Sequence, residues 1–236
     1  DDALVASGLA SRLLRSFSFD VGLPVRLRAG PATAILDAVR DGEVDAVLSN
    51  VPAVEEALAA RSLVYDRRLV AYGEFVVVGP VPPPRGRNPP PAFGDNVREA
   101  LGRIRDLATA GQEGAVFMSA GDGSGTHLAE QALWRAAGIA PAASWYLMAP
   151  RGEFLAQVRA RNAFAVVERA AWLASGGGPR LPVVCAADPM LVEPIHAMRS
   201  FRAKHPAGKM FVGWIAGRRG RSVVSALRSS YRAATS

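Results

Sequence analysis

The amino-acid sequence predicts an α/β fold in which helices and parallel strands alternate along the chain. Two observations support it: helical and strand-like hydrophobic patterns follow one another from end to end, and most of the strand patterns are short. The 236 residues are 50% hydrophobic and 21% charged, which suffices for the core of one large domain or two small lobes. No stretch reaches the roughly 20 consecutive apolar residues of a membrane-spanning helix.

The first part of the chain alternates helix and strand. Apolar residues at helical spacing predict helices, and alternating or β-branched runs predict strands. The predicted elements are a helix over 7–17, a strand over 25–28, a helix over 31–40, a strand over 44–48, a helix over 54–60 and a strand over 75–78. The Asp41-Gly42 pair ends the second helix, since glycine suits a helix C-terminus.

The second part begins after two proline triplets, at 82–84 and 89–91, which predict a surface connection because each proline removes an N–H donor. The glycine-rich stretch 176–179 predicts a flexible loop, and no internal repeat is present. The predicted elements are helices over 97–110, 126–137 and 153–162, strands over 115–118 and 181–186, and at least one closing helix within 211–232.

Charge and cysteine content exclude several classes of function. The net charge is +7, but arginines are spread along the whole chain, and the densest cluster, at 218–221, has no interleaved aromatic residue, which argues against nucleic-acid binding. The single cysteine, Cys185, excludes an internal disulfide and a cysteine-based zinc site, and its apolar surroundings predict a buried, inert thiol. The three histidines lack the spacing of metal ligands, so no metal is predicted.

The most informative motif is the glycine-rich stretch 119–127, which follows a predicted strand and precedes a predicted helix. Its glycines allow backbone N–H groups to converge, and Ser124 and Thr126 add hydroxyl donors, so the loop predicts a site for a small anion. It is no P-loop, because Thr126-His127 stands where that motif has lysine. A simpler reading, in which Ser124 or Thr126 only caps the helix, stays open.

The residues that carry a family resemblance extend over nearly the whole chain. They are Ser7-Gly8-Leu9, residues 44–52 with Glu55-Glu56, the spaced pattern over 67–80, the pattern over 119–138 leading to Trp145-Tyr146, and Asp188-Pro189 with Glu193-Pro194. On these motifs the chain resembles the tungstate-binding proteins of ABC importers, a branch of the type II periplasmic binding proteins.

The resemblance implies a two-lobed α/β fold with two crossover strands and a central cleft. Lobe 1 would comprise residues 1–79 and 191–236, and lobe 2 residues 80–190, with the hinge near 78–80 and 190–194. It further implies capture of tungstate or molybdate in the cleft without metal or cofactor, delivery to an ABC permease in the membrane, a periplasmic location after signal removal, and no enzymatic activity.

The resemblance also implies a set of ligand-binding positions. They are Ser124, Thr126, Gly125, Gly123, Ser119, Ala120, Asp2, Ala3, Ser49 and Glu168. Three of them, Ala120, Asp2 and Ala3, differ in kind from the family pattern. Ala120 stands where the family has an arginine, and residues 1–3 stand where it has a Thr-Thr-Ser run. Losing one charge-assisted hydrogen bond would weaken oxyanion binding roughly tenfold or more.

Three other functions remain open at this stage. The exchange of the arginine for Ala120, together with the carboxylates of Asp2 and Glu168, would suit a larger or zwitterionic, amino-acid-like ligand whose amine pairs with a carboxylate. The fold could also serve as a periplasmic sensor or assembly partner with no small ligand. An enzyme using His127 as a base for Ser124 is disfavoured, since the Gly-x-Ser-x-Gly elbow pattern is misaligned.

Overall fold

The computed structural model describes residues 1–82, 85–87, 89–111, 115–178, 180–227 and 230–234. It confirms an α/β fold. The helices are α1 (Asp2–Ala6), α2 (Leu9–Val21), α3 (Ala32–Asp41), α4 (Pro52–Ala60), α5 (Val97–Thr109), α6 (Gly125–Ala136), α7 (Phe154–Ala160), α8 (Arg169–Ala174), α9 (Ala207–Ala216) and α10 (Arg218–Ser225). The strands are β1 (Ala46–Ser49), β2 (Val64–Val78), β3 (Phe117–Ser119), β4 (Tyr146–Met148), β5 (Ala165–Glu168), β6 (Val183–Cys185), β7 (Val192–Ser200) and β8 (Arg232–Ala233).

These elements form two compact units. Unit 1 comprises Asp1–Gly73, Gly123–Gly125 and Glu193–Ser236, and unit 2 comprises Glu74–Asp122 and Thr126–Val192. Strand β2 begins in unit 1 and ends in unit 2. The division expected from the sequence, 1–79 with 191–236 against 80–190, stays a prediction about the lobes of the protein.

Unit 1 packs amphipathic helices on a mainly antiparallel sheet. Its strands lie in the order β1–β7–β2, β8 pairs with β2, and β1 runs antiparallel to β7. Helix α2 buries the stripe that the hydrophobic periodicity predicts, and its Phe17 ring meets the edges of Phe211 and Trp214 on α9 at 5.2 and 5.6 Å between centroids. Gly22, with φ of 72°, ends α2 in the left-handed conformation.

Unit 2 has its core around the end of β2, which pairs antiparallel with β5 and β6. The parallel pair β3–β4 carries Phe117, which packs against the Trp134 ring of α6 at 5.0 Å. Gly79 follows β2 directly, and any Cβ there would lie 2.1 Å from the Phe164 ring. Glycine is therefore required where the chain leaves the sheet.

The structure corrects two sequence predictions. Residues 25–28 are not a strand, because no described strand pairs with their backbone, and Val25 and Leu27 are 39% and 45% exposed. The expected parallel pairing is present between β3 and β4 and in the bridge from Phe117 to Phe164. The pairs of β2 with β5, β6 and β8 and of β1 with β7 are antiparallel, so the expectation of a parallel sheet was wrong for these pairs.

The remaining predicted elements appear with shifted ends, and β4, β5, β7, β8, α1 and α8 were not predicted as separate elements. Within the proline-rich connection, Pro83, Pro84 and Asn88 lie outside the described residues, and so does Pro179 of the glycine-rich loop. The described residues of that connection have no helix or strand, as expected.

Candidate functional site

The central part of the glycine-rich loop, Gly123–Gly125, packs within unit 1. The carbonyl oxygen of Gly123 accepts the backbone N–H of Thr33 at 3.3 Å, and a Cβ on Gly123 would lie 2.8 Å from the Thr33 hydroxyl. Gly123 also has a φ of 75°, which side chains rarely adopt. Sterics and backbone conformation thus both require the glycine that the motif contains.

The backbone N–H of Gly125 already binds a carboxylate of this chain. It donates to Oδ2 of Asp1 over 3.0 Å in a buried hydrogen bond, while Oδ1 of Asp1 accepts the N–H of Ala3 and caps α1. Gly125 is also the first residue of α6, where the helix dipole favours negative charge. The Asp1 carboxylate therefore binds the same Gly125 N–H donor that the sequence predicts for an oxyanion.

A second buried carboxylate lies in unit 1 near the loop. Glu193 is 0% exposed, and its Oε1 accepts a hydrogen bond from the Asn50 side-chain amide at 2.6 Å. Asn50 in turn borders Gly125 so closely that a Cβ on Gly125 would lie 2.1 Å from its Oδ1. Gly73 is needed for the same reason, since a Cβ there would lie 2.3 Å from Oε2 of Glu193.

The unit 2 end of the loop contains a buried glutamate with neutral donors. Ser119 donates its hydroxyl to Oε2 of Glu130 at 2.6 Å, and the Tyr146 hydroxyl and Trp134 indole N–H donate to Oε1 at 2.6 and 3.1 Å. Burial raises the pKa of Glu130 to about 7, although these three hydrogen bonds lower it. The Ser119 hydroxyl therefore already donates its one proton in a hydrogen bond to Glu130.

Several other predicted ligand residues have structural roles. The Ser49 hydroxyl accepts the N–H of Val51 at 3.3 Å and hydrogen-bonds to Glu55. The Glu168 carboxylate caps α8 by accepting the N–H of Ala171. Both residues are 2% exposed, and buried polar groups need hydrogen-bond partners, which these contacts supply.

The remaining predicted residues divide between the units. Asp2 is exposed on the first turn of α1, and Ala3 contributes its N–H to the Asp1 cap. Ala120 and Thr126 belong to unit 2 and are 4% and 6% exposed. Ser124 belongs to unit 1 with its two flanking glycines and is 7% exposed.

Sequence reasoning missed Asp1, Asn50, Glu130 and Glu193 as parts of the candidate site. Asp1 was detectable, because an aspartate before a short helical stretch is a preferred N-cap. Glu130 and Trp134 have helical i, i+4 spacing, which predicts a contact on one face of α6. Nothing local places Asn50 or Glu193, since 143 positions separate them in the chain.

The described residues offer no cluster of His, Cys, Asp and Glu that could hold a metal ion, and no described helix is long and apolar enough to cross a membrane. Cys185 is buried, as expected, and burial raises the pKa of its thiol to about 12. Burial also lowers the pKa of His127, against the influence of Asp122.

Comparison with known proteins now assigns the family. The model of the PBP superfamily domain matches residues 3–180. The chain belongs to the PBP superfamily. Its relatives include the tungstate-binding protein TupA of Peptoclostridium acidaminophilum, to which it is 27% identical over 225 residues, covering 92% of this chain and 76% of the relative.

Two solved structures extend this result. This PBP-superfamily chain is 27% identical to the structure titled tungstate ABC transporter from Geobacter sulfurreducens, with a TM-score of 0.76 over 95% of this chain and 94% of the other. The tungstate-binding protein TupA of Desulfovibrio alaskensis G20 matches with a TM-score of 0.73 and 24% identity over 98% and 94%, which supports the fold alone. These relatives are named for binding and transport rather than for catalysis.

Proposed function

We propose that this protein is a solute-binding protein that captures a small oxyanion, tungstate or molybdate, and delivers it to an ABC permease. It would act in the periplasm and catalyse no reaction. The similarity to a tungstate-binding protein and to a tungstate transporter structure supports the ligand class. The glycine-rich loop supports the place of binding.

One observation carries the proposal: the backbone N–H of Gly125 holds a carboxylate oxygen in a buried hydrogen bond. A donor that binds the Asp1 carboxylate suits an oxyanion, because both present negatively charged oxygen atoms. Asn50 lies so close to Gly125 that a side chain at position 125 would collide with its amide, so this position requires glycine. In this proposal, the incoming oxyanion displaces Asp1 and takes its place on Gly125.

Ala120 and Asp1 set the expected affinity. Ala120 is uncharged where the family pattern has an arginine, so this proposal balances the oxyanion charge with N–H and hydroxyl donors and the α6 dipole. The Asp1 carboxylate competes for the same donor. We therefore expect oxyanion binding that is weaker than a site with an arginine would give.

Calorimetric titration of the purified, dialysed chain with tungstate, molybdate, sulfate and phosphate tests the proposal. We expect tungstate and molybdate to bind and to raise the melting temperature. At a thousandfold excess over the dissociation constant, the gain in unfolding free energy is about 4 kcal/mol. Absence of binding for all four anions, in a folded sample, would contradict the proposal.

The acidic surroundings of the loop favour a second candidate, a ligand that carries an amine. Asp1 accepts the Gly125 N–H, and the Glu193 carboxylate is bound by Asn50, so two carboxylates lie in unit 1 near the loop. A zwitterionic, amino-acid-like ligand could pair its amine with Asp1. Titration with a panel of amino acids distinguishes the candidates, since the oxyanion proposal expects no amine-bearing compound to bind.

A further inference from the structure

Charge is distributed unevenly between the two units. Unit 1 contains 17 Lys and Arg residues against 11 Asp and Glu residues, whereas unit 2 contains 11 against 10. The excess comes from the end of the chain, which has nine Lys and Arg residues and no acidic residue after Glu193. A general enrichment in arginine would not produce this asymmetry, so the basic character belongs to unit 1.

Part of this charge lies on the exposed side of α2. Arg12, Arg15 and Phe19 have i, i+3, i+7 spacing and therefore share one face, opposite the buried Leu9, Leu13 and Phe17 stripe. Both arginines are exposed, and the Phe19 ring is 87% exposed. An aromatic side chain projecting into solvent between cations needs a reason, because burial of its ring would be favourable.

Helix α10 adds two arginines beside the end of α2. It packs against α2 and α9, and Arg218 and Arg219 are exposed on its first turn. Arg219 pairs with Asp20 at 2.9 Å, and Asp20 follows Phe19 directly. The basic face is thus defined by Arg12, Arg15, Phe19, Arg218 and Arg219.

The acid nearest to Phe19 in sequence is already bound. Asp20 accepts hydrogen bonds from the Trp214 indole at 2.9 Å and from the Arg219 guanidinium at 3.0 and 2.9 Å. By contrast, no ion pair joins Arg12, Arg15 or Arg218 to another residue that the structure describes. Three of the four arginines of the basic face therefore lack an ion pair with a described residue, and the same face has an exposed phenyl ring.

We propose that the basic face of unit 1 docks on a bilayer of anionic phospholipid. Cations attract the negative headgroups, and a projecting aromatic side chain inserts at the boundary between headgroups and acyl chains. A nucleic acid would use the cations but gains less from Phe19, because a single ring offers no series of stacking platforms for successive bases. The combination of charge with one apolar anchor favours the lipid surface.

Vesicle co-sedimentation of the full chain tests this docking. We expect binding to vesicles of phosphatidylcholine mixed with phosphatidylglycerol, little binding to phosphatidylcholine alone, and loss of binding as salt rises. The variant R12Q/R15Q/R218Q should lose about fivefold in affinity for each cation removed. Phe19→Ala, which keeps the charge, should lose roughly tenfold.

The matched control removes the same charge from unit 2. Arg98, Arg103 and Arg105 are exposed on α5, and the variant R98Q/R103Q/R105Q should bind the vesicles like the parent chain. All altered side chains are exposed, and an unchanged melting temperature verifies the folding of each variant. Equal losses in the two triple variants, or equal binding to both kinds of vesicle, would overturn the proposal.

Two further measurements separate docking from other causes. Oxyanion titration of Phe19→Ala should match that of the parent, so a failure of oxyanion binding and a failure of membrane docking are independent results. A single-stranded DNA oligonucleotide serves as the competing polyanion. Tighter binding of that oligonucleotide than of the anionic vesicles at equal salt, with no effect of Phe19→Ala, would assign the face to nucleic acid and overturn the lipid proposal.

Discussion

Two buried glutamates, one in each unit, differ in their tendency to ionise although both are shielded from solvent. Glu55 of unit 1 is 0% exposed and Glu130 of unit 2 is 2% exposed. Burial opposes ionisation of Glu55, but hydrogen bonds from His196, Ser49 and Arg67 and the charge of His196 hold its pKa below the usual value. Burial raises the pKa of Glu130 to about 7, and the hydrogen bonds from its three neutral donors offset only part of that rise.

Burial acts on both glutamates in the same direction, so the comparison shows that the presence or absence of charged partners decides whether the pKa ends below or above the usual value. Glu55 contacts the Arg67 guanidinium at 3.0 Å and His196 at 2.9 Å, and also accepts the N–H of Val51. Glu130 has three good hydrogen bonds and still resists ionisation. The same rule applies to the proposed oxyanion site, where neutral donors compensate an anion only in part.

The largest effect is expected from removing the carboxylate charge at Glu55. Glu55→Gln leaves the partly buried Arg67 without its closest anion, so the free energy of unfolding at neutral pH should fall by about 4 kcal/mol. Urea denaturation measures this. The control is Glu56→Gln, whose side chain is 67% exposed and 3.5 Å from Arg67, with an expected loss of at most about 1 kcal/mol. Equal losses would refute the assigned role of the buried pair.

The second-largest effect is a change in the free energy of unfolding with pH, and its sign is opposite for the two glutamates. Because the folded chain raises the pKa of Glu130 from 4.5 to about 7, folded Glu130 binds more protons than unfolded Glu130 within that window. Its contribution is complete below pH 4.5 and is lost as pH rises through 7, a decrease of about 3 kcal/mol. Glu55, with its lowered pKa, contributes above pH 4.5 and loses its contribution at more acidic pH.

Glu130→Gln should therefore flatten the pH dependence between pH 4.5 and 7, while the parent loses stability across that window. Urea denaturation at a series of pH values distinguishes the two chains. Glu153→Gln, which alters an exposed hydrogen bond to Gln157 in the same unit, is the control and should follow the parent. Parallel curves for Glu130→Gln and the parent would show that Glu130 keeps its usual pKa.

A smaller effect is expected from freeing the Gly125 N–H. Asp1→Ala removes the competing carboxylate, so affinity for tungstate should rise about tenfold, or about 1.4 kcal/mol. Asp2→Ala removes the same charge from an exposed position and should change affinity by less than about threefold. Calorimetry of both variants measures this. If instead an amino acid binds the parent chain and binds Asp1→Ala more weakly, the amine-bearing ligand is favoured.

The smallest effect is expected at Thr126. If its hydroxyl donates to the oxyanion, Thr126→Ala should weaken tungstate binding about fivefold, the value of one neutral hydrogen bond. Thr109→Ala is the control, because Thr109 is exposed and its hydroxyl donates to the carbonyl oxygens of Arg105 and Asp106 within its own helix. Unchanged affinity in Thr126→Ala would remove that hydroxyl from the proposed site and leave the backbone donors.

The sequence alone predicted most elements because their signals are local. Helix α5 begins at Val97 as predicted and is capped by the Asn96 side chain, and Gly42 ends α3 with a φ of 81°. The strand prediction for 25–28 was wrong because alternation describes a half-buried surface but does not supply a pairing partner. Strand direction also depends on partners far away in the chain.

For the candidate site, the sequence determined the kind of loop, and the tertiary structure decided what its donors contact. The glycines at 121, 123 and 125 indicate positions where the backbone can adopt unusual φ values or lie close to neighbouring atoms, and both properties are local. That Gly125 meets Asp1, 124 positions away, and that Glu193 meets Asn50 are results of packing. The tertiary structure therefore decided which buried charges have a compensating partner. The reason is that the charge of the partner and the loss of solvent both depend on residues that are distant in the sequence.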